Sequence, residues 1–237
     1  MNKIYLYLFS LLVFLIFPMK AQEGHNFFDP MDVFELEWAS DPQVSPDSKT
    51  IVYVRKSHDI MKDKVRSNIW QIKIDGEDHR PLYSELGNSY SPYWSPNQER
   101  LAFLSNNSGS TQIHMYWFKS GETRAITQLQ ESPSSLSWSP DGKWIAFTMN
   151  VKAKSNAIVE SREKPEGASW AEKPITVTTT RYQYDGRGIV EPSYRHIFVV
   201  PAEGGSARQL TTGNFNHYGP LSWSADSESI FFSAHRS

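Results

Sequence analysis

The chain has 237 residues, of which 39% are hydrophobic and 14% aromatic, and a formal net charge of −2. That balance describes an ordinary globular protein and gives no electrostatic footing for nucleic acid. The absence of cysteine excludes disulfides, thiolate catalysis and a lipid-modified N-terminal cysteine.

Met1 to Ala21 has the layout of an export signal. Lys3 supplies the positive start, and Ile4 to Phe17 is a near-continuous apolar run of fourteen residues, short for a bilayer span. Cleavage is expected between Ala21 and Gln22, although Met19 is larger than the residue usually preferred three positions before a cut; a retained anchor is the alternative. No other stretch is long and apolar enough to cross a membrane, so no membrane association is expected after cleavage. Residues 22–40 form a lead-in. Asp29 is a good N-cap, Pro30 suits the first helical position, and Asp32 sits where the helix dipole favours a carboxylate. A short helix through about Trp38 is expected, with Met31, Phe34 and Trp38 on one face against the sheets.

From here a fifteen-residue pattern, clearest as LSWSPDGKWIAFTMN at Leu136 to Asn150, occurs four times. Anchored on Ser45, Ser95, Ser139 and Ser224, each copy has Asp or Asn two residues later. An aliphatic follows at six (Ile51, Leu101, Ile145, Ile230) and an aromatic at eight (Tyr53, Phe103, Phe147, Phe232). Trp94, Trp138 and Trp223 precede three of the serines; Val44 precedes the first. Ser-Pro-Asp-Gly is the chemistry of a type I turn followed by a left-handed residue, so strands should flank it. Only Gly142 fits the fourth position ideally. Ser48, Gln98 and Ser227 hold it elsewhere, where a left-handed non-glycine costs roughly 1 kcal/mol. The strand after each turn is apolar on both faces, which suits a sheet between two neighbouring sheets.

A second module follows the first three copies. Ile69, Ile113 and Ile197 begin strands, and Arg80, Arg124 and Arg208 each lie eleven residues further on. Asp75-Gly76, Ser120-Gly121 and Gly204-Gly205 lie between as turns, so two hairpins make a four-stranded unit. Anchors spaced 50 and then 44 residues apart give the period of a β-propeller. A β-sandwich is the alternative, but it offers no reason for a shared register. The expected fold is therefore all-β: a partial propeller of four-stranded antiparallel blades, about three complete and one incomplete. The blades should cover 41–85, 90–130, 134–212 and, incompletely, 219–237. The third carries an insertion at 151–190. Its first half is polar and charged; its second half, ITVTTTRYQYDGRG from Ile175, could add a hairpin turning at Asp185-Gly186.

No G-x-S-x-G nucleophile elbow is present; Gly87 to Ser91 and Gly204 to Arg208 come nearest and lack the second glycine. The seven histidines show no metal-ligand spacing, and ordinary polar contacts are expected for His114, His196 and His217. Asp47, Asp141 and Asp226 are explained by the turn itself. No catalytic residue, metal or cofactor is therefore expected within the chain.

The segments DPMDVFELEWASDPQVSPDSKTIVYVRK, PYWSPNQERLAFLSN, LSWSPDGKWIAFTMN and RYQYDGRG…HIFVVPAEGGSARQLT together resemble exported bacterial serine peptidases of the prolyl-oligopeptidase family. The acylaminoacyl-peptidase and dipeptidyl-peptidase-like branch is nearest, and the resemblance covers nearly all of the mature chain. It implies an N-terminal propeller that caps a C-terminal α/β-hydrolase domain, restricts entry of peptide substrates and helps to hold them. On that plan the insertion presents Tyr182, Asp185, Arg187 and Glu191 as candidate substrate-binding residues, with Arg187 paired to a carboxylate at the blade rim as the structural alternative. The chain would then be a piece of a longer periplasmic or extracellular protein, truncated before its catalytic domain. A TolB-like periplasmic propeller that binds a protein partner is a second expectation, and a truncated product that never folds stably a third.

Overall fold

A computed structural model describes residues 28–153, 163–171, 177, 180, 182–186 and 188–236. Residues 28–36 form a unit by themselves, separate from the array that begins at Glu37. The first unit holds a 3-10 helix, Pro30–Glu35, with a complete capping box: the Asp29 carboxylate accepts from Met31 N (2.9 Å) and Asp32 accepts from Asp29 N (2.8 Å). The helix is shorter than the spacing suggested and buries none of its residues. Trp38, expected on its last turn, lies instead in strand β1 opposite Lys56, because the cross-strand pairing claims the backbone from Glu37 onward.

The rest is almost entirely antiparallel sheet. Blade 1 comprises β1 (Glu37–Val44), β2 (Thr50–Asp59), β3 (Lys64–Lys73) and β4 (Arg80–Tyr83) in that order across the sheet. Blade 2 repeats the meander with β5 (Ser89–Trp94), β6 (Arg100–Ser105), β7 (Gln112–Trp117) and β8 (Thr123–Ala125). Blade 3 is built from β9 (Pro133–Trp138), β10 (Trp144–Lys152), β13 (Ser193–Pro201) and β14 (Arg208–Gln209). The small hairpin β11 (Gln183–Tyr184) and β12 (Gly188–Ile189) belongs to its insertion. Blade 4 consists of β15 (His217–Trp223) and β16 (Ile230–Ala234).

The repeated turn takes the predicted form in all four copies. The residue at its fourth position is left-handed each time: Ser48 (φ 59°), Gln98 (63°), Gly142 (68°) and Ser227 (64°). What offsets the cost at the three non-glycine positions is a side-chain network. Each anchor serine donates its hydroxyl to the following Asp or Asn at 2.5–2.8 Å. The same hydroxyl accepts the backbone N–H of Thr50, Arg100, Trp144 or Ser229 at 2.9–3.0 Å. The Ser hydroxyl first, and backbone N–H groups with it, hold the carboxyls of Asp47, Asp141 and Asp226 below the usual carboxylate value. These groups are structural, as the sequence suggested.

Three apolar seams stack the blades. Val52, Val54, Ile69 and Leu82 of blade 1 meet Leu101, Phe103 and Tyr116 of blade 2. Ala102, Leu104, Ile113, Met115 and Ile126 of blade 2 meet Leu136, Ile145, Phe147, Phe198 and Val200 of blade 3. A smaller cluster joins Ala146, Ile197 and Val199 to Leu221, Trp223 and Ile230 of blade 4. Middle blades bury both faces of their second strand, as in β6, where Leu101 to Ser105 are all buried. In β2 only Val52 and Val54 are buried, because blade 1 has a neighbour on one face alone.

The tryptophans of the repeat supply a polar counterpart to this packing. Trp94 Nε1 donates to the Gln43 carbonyl (3.2 Å), Trp138 Nε1 to the Tyr93 carbonyl (3.1 Å) and Trp223 Nε1 to the Ser137 carbonyl (3.2 Å). Each indole therefore reaches back to the residue two before the anchor serine of the preceding blade. Arg100 reinforces the seam between blades 2 and 3: it pairs with Glu203 (2.6 Å), donates to the Gly142 carbonyl (3.1 Å) and lies over the Trp138 ring. Val44, in the first copy, has no such group to offer and is 53% exposed.

Candidate functional site

The insertion leaves blade 3 between its second and third strands. β10 and β13 pair without interruption from Trp144↔Pro201 to Lys152↔Ser193, three residues further than the corresponding pair β6 and β7, which ends at Ser105↔Gln112. This ladder carries the insertion outward from the end of the blade opposite the Ser-Pro-Asp-Gly turn. At its root Ala153 N donates to the Pro192 carbonyl (2.9 Å) and Lys152 pairs with Glu191 (2.7 Å). The Glu191 carboxylate holds the Lys152 ammonium above its usual value, mainly through their hydrogen bond.

The hairpin predicted at Asp185-Gly186 is present. Gln183 faces Ile189 and Tyr184 faces Gly188; Val190 N donates to the Tyr182 carbonyl at 2.8 Å. Gly186 and Gly188 both have positive φ, 71° and 68°, which the tight reversal requires. Of the four candidate residues, Tyr182 flanks the hairpin and is 43% exposed, Asp185 occupies its turn, and Glu191 lies at the base in its pair with Lys152. Tyr182 and Glu191 thus bracket the same short loop. Arg187 lies outside the described residues, as do the expected cleavage positions Ala21 and Gln22. Tyr184 (48%) and Ile189 (51%) add exposed apolar area beside Tyr182, which the sequence reading had not singled out. The hairpin therefore presents two phenols, a carboxylate and an aliphatic side chain, groups able to contact an extended peptide through hydrogen bonds and apolar surface.

A second concavity, of about 460 Å³, lies against blade 3 and the β15–β16 hairpin. Trp144, Ile197, Val199, Leu210, Trp223, Ile230 and Phe232 supply its apolar wall, with Arg208, Thr211, Ser227 and Glu228 around it. Leu210 is 40% exposed there, whereas its counterparts Leu82 and Ile126 are buried, because blades 1 and 2 have a full four-stranded neighbour above these positions. The cavity is thus a consequence of the two-stranded sheet in blade 4.

The histidines divide. His196 and His217 have the polar contacts expected of them: His217 Nδ1 lies 3.1 Å from the Arg195 carbonyl and His196 Nδ1 lies 3.4 Å from Thr211 Oγ1. His217 is the first residue of β15. His114 departs from the expectation. It is buried at the seam of blades 1 and 2 beside Phe103 and Tyr83, and neither ring nitrogen has a hydrogen-bond partner. Burial lowers its pKa, so it sits neutral with its one N–H unsatisfied. His114 faces Phe103 across the strand pair as Phe198 faces Phe147 in the next blade. His114→Phe should accordingly raise stability by about 1 kcal/mol at pH 7. It should also remove a loss of stability that sets in as the pH falls below the ordinary histidine value, because there the unfolded ring gains a proton that the folded ring resists. Urea melts at pH 7.5 and 5.5 check both effects.

Neither near-match to a nucleophile elbow is one. Ser89 is buried at the start of β5 with its hydroxyl on Ser105 Oγ (3.1 Å), and Gly204 and Gly205 form the turn between β13 and β14. Among the described residues no group of three His, Asp or Glu side chains could hold a metal ion, and no helix is long and apolar enough to cross a membrane.

Comparison with known proteins agrees with the fold and with the resemblance in sequence. The chain is 30% identical over 204 residues to the uncharacterized peptidase YuxL of Bacillus subtilis, covering 86% of this chain and 30% of that protein. It is 24% identical over 217 residues to dipeptidyl-peptidase 5 of Porphyromonas gingivalis, again covering 30% of the longer protein. The chain thus spans about a third of the length of these relatives. Among solved structures, Pyrococcus horikoshii acylaminoacyl peptidase shares the fold with a TM-score of 0.59 at 14% identity, over 86% of this chain and 29% of that one. The model of the TolB beta propeller domain matches residues 37–171, more than half of the sequence. With blades in the predicted register and the domain model matched over more than half of the sequence, the chain is a member of the TolB beta propeller domain family.

Proposed function

We propose that this chain is the non-catalytic propeller region of an exported serine peptidase, in which it gates access to an α/β-hydrolase domain and orients peptide substrates for it. The observation that carries this reading is the similarity to two peptidases across 85–86% of the chain but only 30% of either relative, in a sequence with no nucleophile elbow of its own. On this reading the Ser-Asp-His chemistry belongs to the rest of the complete protein. The blades contribute a rigid frame, and the insertion contributes the groups nearest an entering peptide. Export follows from the apolar run at Ile4 to Phe17, with release expected between Ala21 and Gln22.

Tyr182, Asp185, Arg187 and Glu191 are the residues proposed to meet the peptide. In the complete enzyme, replacing Tyr182 and Asp185 together by alanine should raise KM for peptide substrates several-fold, while labelling of the catalytic serine by a small fluorophosphonate should proceed at the wild-type rate. Equal effects on both reactions, or none on either, would count against a substrate-orienting insertion. A second reading is favoured by the family description itself: a TolB-like propeller that recruits a protein partner in the periplasm. It predicts that the native product carries no hydrolase activity and co-purifies with one protein at a fixed ratio.

A further inference from the structure

We infer that the buried His196–His217 pair makes the seam between blades 3 and 4 acid-labile, so that the β15–β16 hairpin opens from the array as the pH falls. This does not depend on the peptidase reading, since it concerns one seam of the array.

The two imidazoles come from opposite sides of that seam. His196 is on β13, opposite Met149 of β10, and His217 is the first residue of β15, opposite Ala234 of β16. Their ring centroids are 5.2 Å apart, and the residues are 4% and 1% exposed. Phe215 and Phe232 lie against His217 at 4.9 and 5.4 Å, so its ring is packed among aromatic groups. Thr211 Oγ1 lies beside His196 and already accepts the Ile197 N–H at 2.9 Å; the Gly213 backbone also bonds the His196 ring.

The surroundings offer little to neutralise a proton. From β13, Arg195 gives His217 its carbonyl and stretches its guanidinium over the Tyr218 ring of β15. After β16, Arg236 lies over the Phe215 ring, and His235 donates its backbone N–H to the Asn216 carbonyl. On the cavity side, Arg208 of β14 and Glu228 of the β15–β16 turn line the wall shared with Thr211 and Phe232. Among the described residues no carboxylate is ion-paired with either imidazole. Desolvation, and then the neighbouring His217, hold His196 below its ordinary value.

The sign follows from linkage. A histidine whose folded pKa is depressed stays neutral in the native state while the unfolded chain takes up a proton near pH 6.5. Its contribution to stability is complete above that value and declines as the pH falls toward the folded pKa. The two rings meet across the contact between blades 3 and 4, so the effect of their protonation falls on that seam. Local opening is therefore expected before the array as a whole unfolds.

Hydrogen exchange of the complete chain at pH 7.5 and 5.5, corrected for intrinsic rates, tests this. In a His114→Phe background, which removes the other buried histidine, amides of β15 and β16 should exchange at least tenfold faster at pH 5.5, with β1 and β2 nearly unchanged, and the difference should vanish when His196→Phe is added. Acceleration of equal size in all four strands, no acceleration, or a full response that persists in the folded double variant would overturn the proposal. Should that variant fail to fold, NMR titration of the wild-type imidazoles decides: His196 must titrate below 6.5, and titration at or above that value overturns it.

Discussion

Phe147→Ala is expected to cost about 3–5 kcal/mol and to divide the unfolding of the array into two transitions. Phe147 is fully buried, stacks on Phe198 with centroids 5.6 Å apart, and stands at the centre of the cluster joining blades 2 and 3. Truncation removes the transfer free energy of a whole aromatic side chain and leaves a cavity that two rigid sheets cannot close. It also removes a stacked pair worth about 0.5–1.5 kcal/mol. Because each blade touches only its neighbours, damage to the middle seam uncouples one side of the array from the other. Urea melts followed by tryptophan fluorescence and by far-UV circular dichroism should then cease to coincide. Phe147→Leu, which keeps most of the volume, should cost less than about 1.5 kcal/mol and preserve a single transition.

Substitution of Trp138 separates the hydrogen bond of the seam from its packing. Trp138→Phe keeps an aromatic ring over Arg100 but leaves the Tyr93 carbonyl without its donor, a loss of about 1–2 kcal/mol. Trp138→Ala also forfeits the packing, for a total of about 3–4 kcal/mol. The same Phe substitution at Trp94 or Trp223 should cost a similar amount, since the three indoles make equivalent bonds, and the effects at separate seams should add. Chemical denaturation of the single and double variants measures all of these.

Much of the fold was legible because the determinants are local. Ser, Pro, Asp and Gly at fixed offsets dictate a turn whatever surrounds them, and the continuous apolar run after the turn marks a strand covered on both faces. The helix was misjudged at its end: Trp38 fits a helical face by spacing, but its pairing opposite Lys56 is a contact that no local pattern announces. The recurring tryptophan was visible as a pattern, yet its partner, a backbone carbonyl 45 to 86 residues earlier, was not. His114 was misjudged for a related reason, since whether a strand histidine finds a partner depends on the blade packed over it. The candidate site was legible only in part. Asp185-Gly186 announces a turn, whereas the Lys152–Glu191 pair at the root depends on how far β10 and β13 zip together.

The central claim is that these blades belong to a serine peptidase whose chemistry lies beyond them. The most direct test is to isolate the native gene product from its own organism, treat it with a fluorophosphonate probe and determine the intact mass of whatever is labelled. The account predicts a labelled protein far longer than 237 residues that contains this sequence, with the label on a serine outside it. A native product that ends at Ser237 and takes up no label would contradict it.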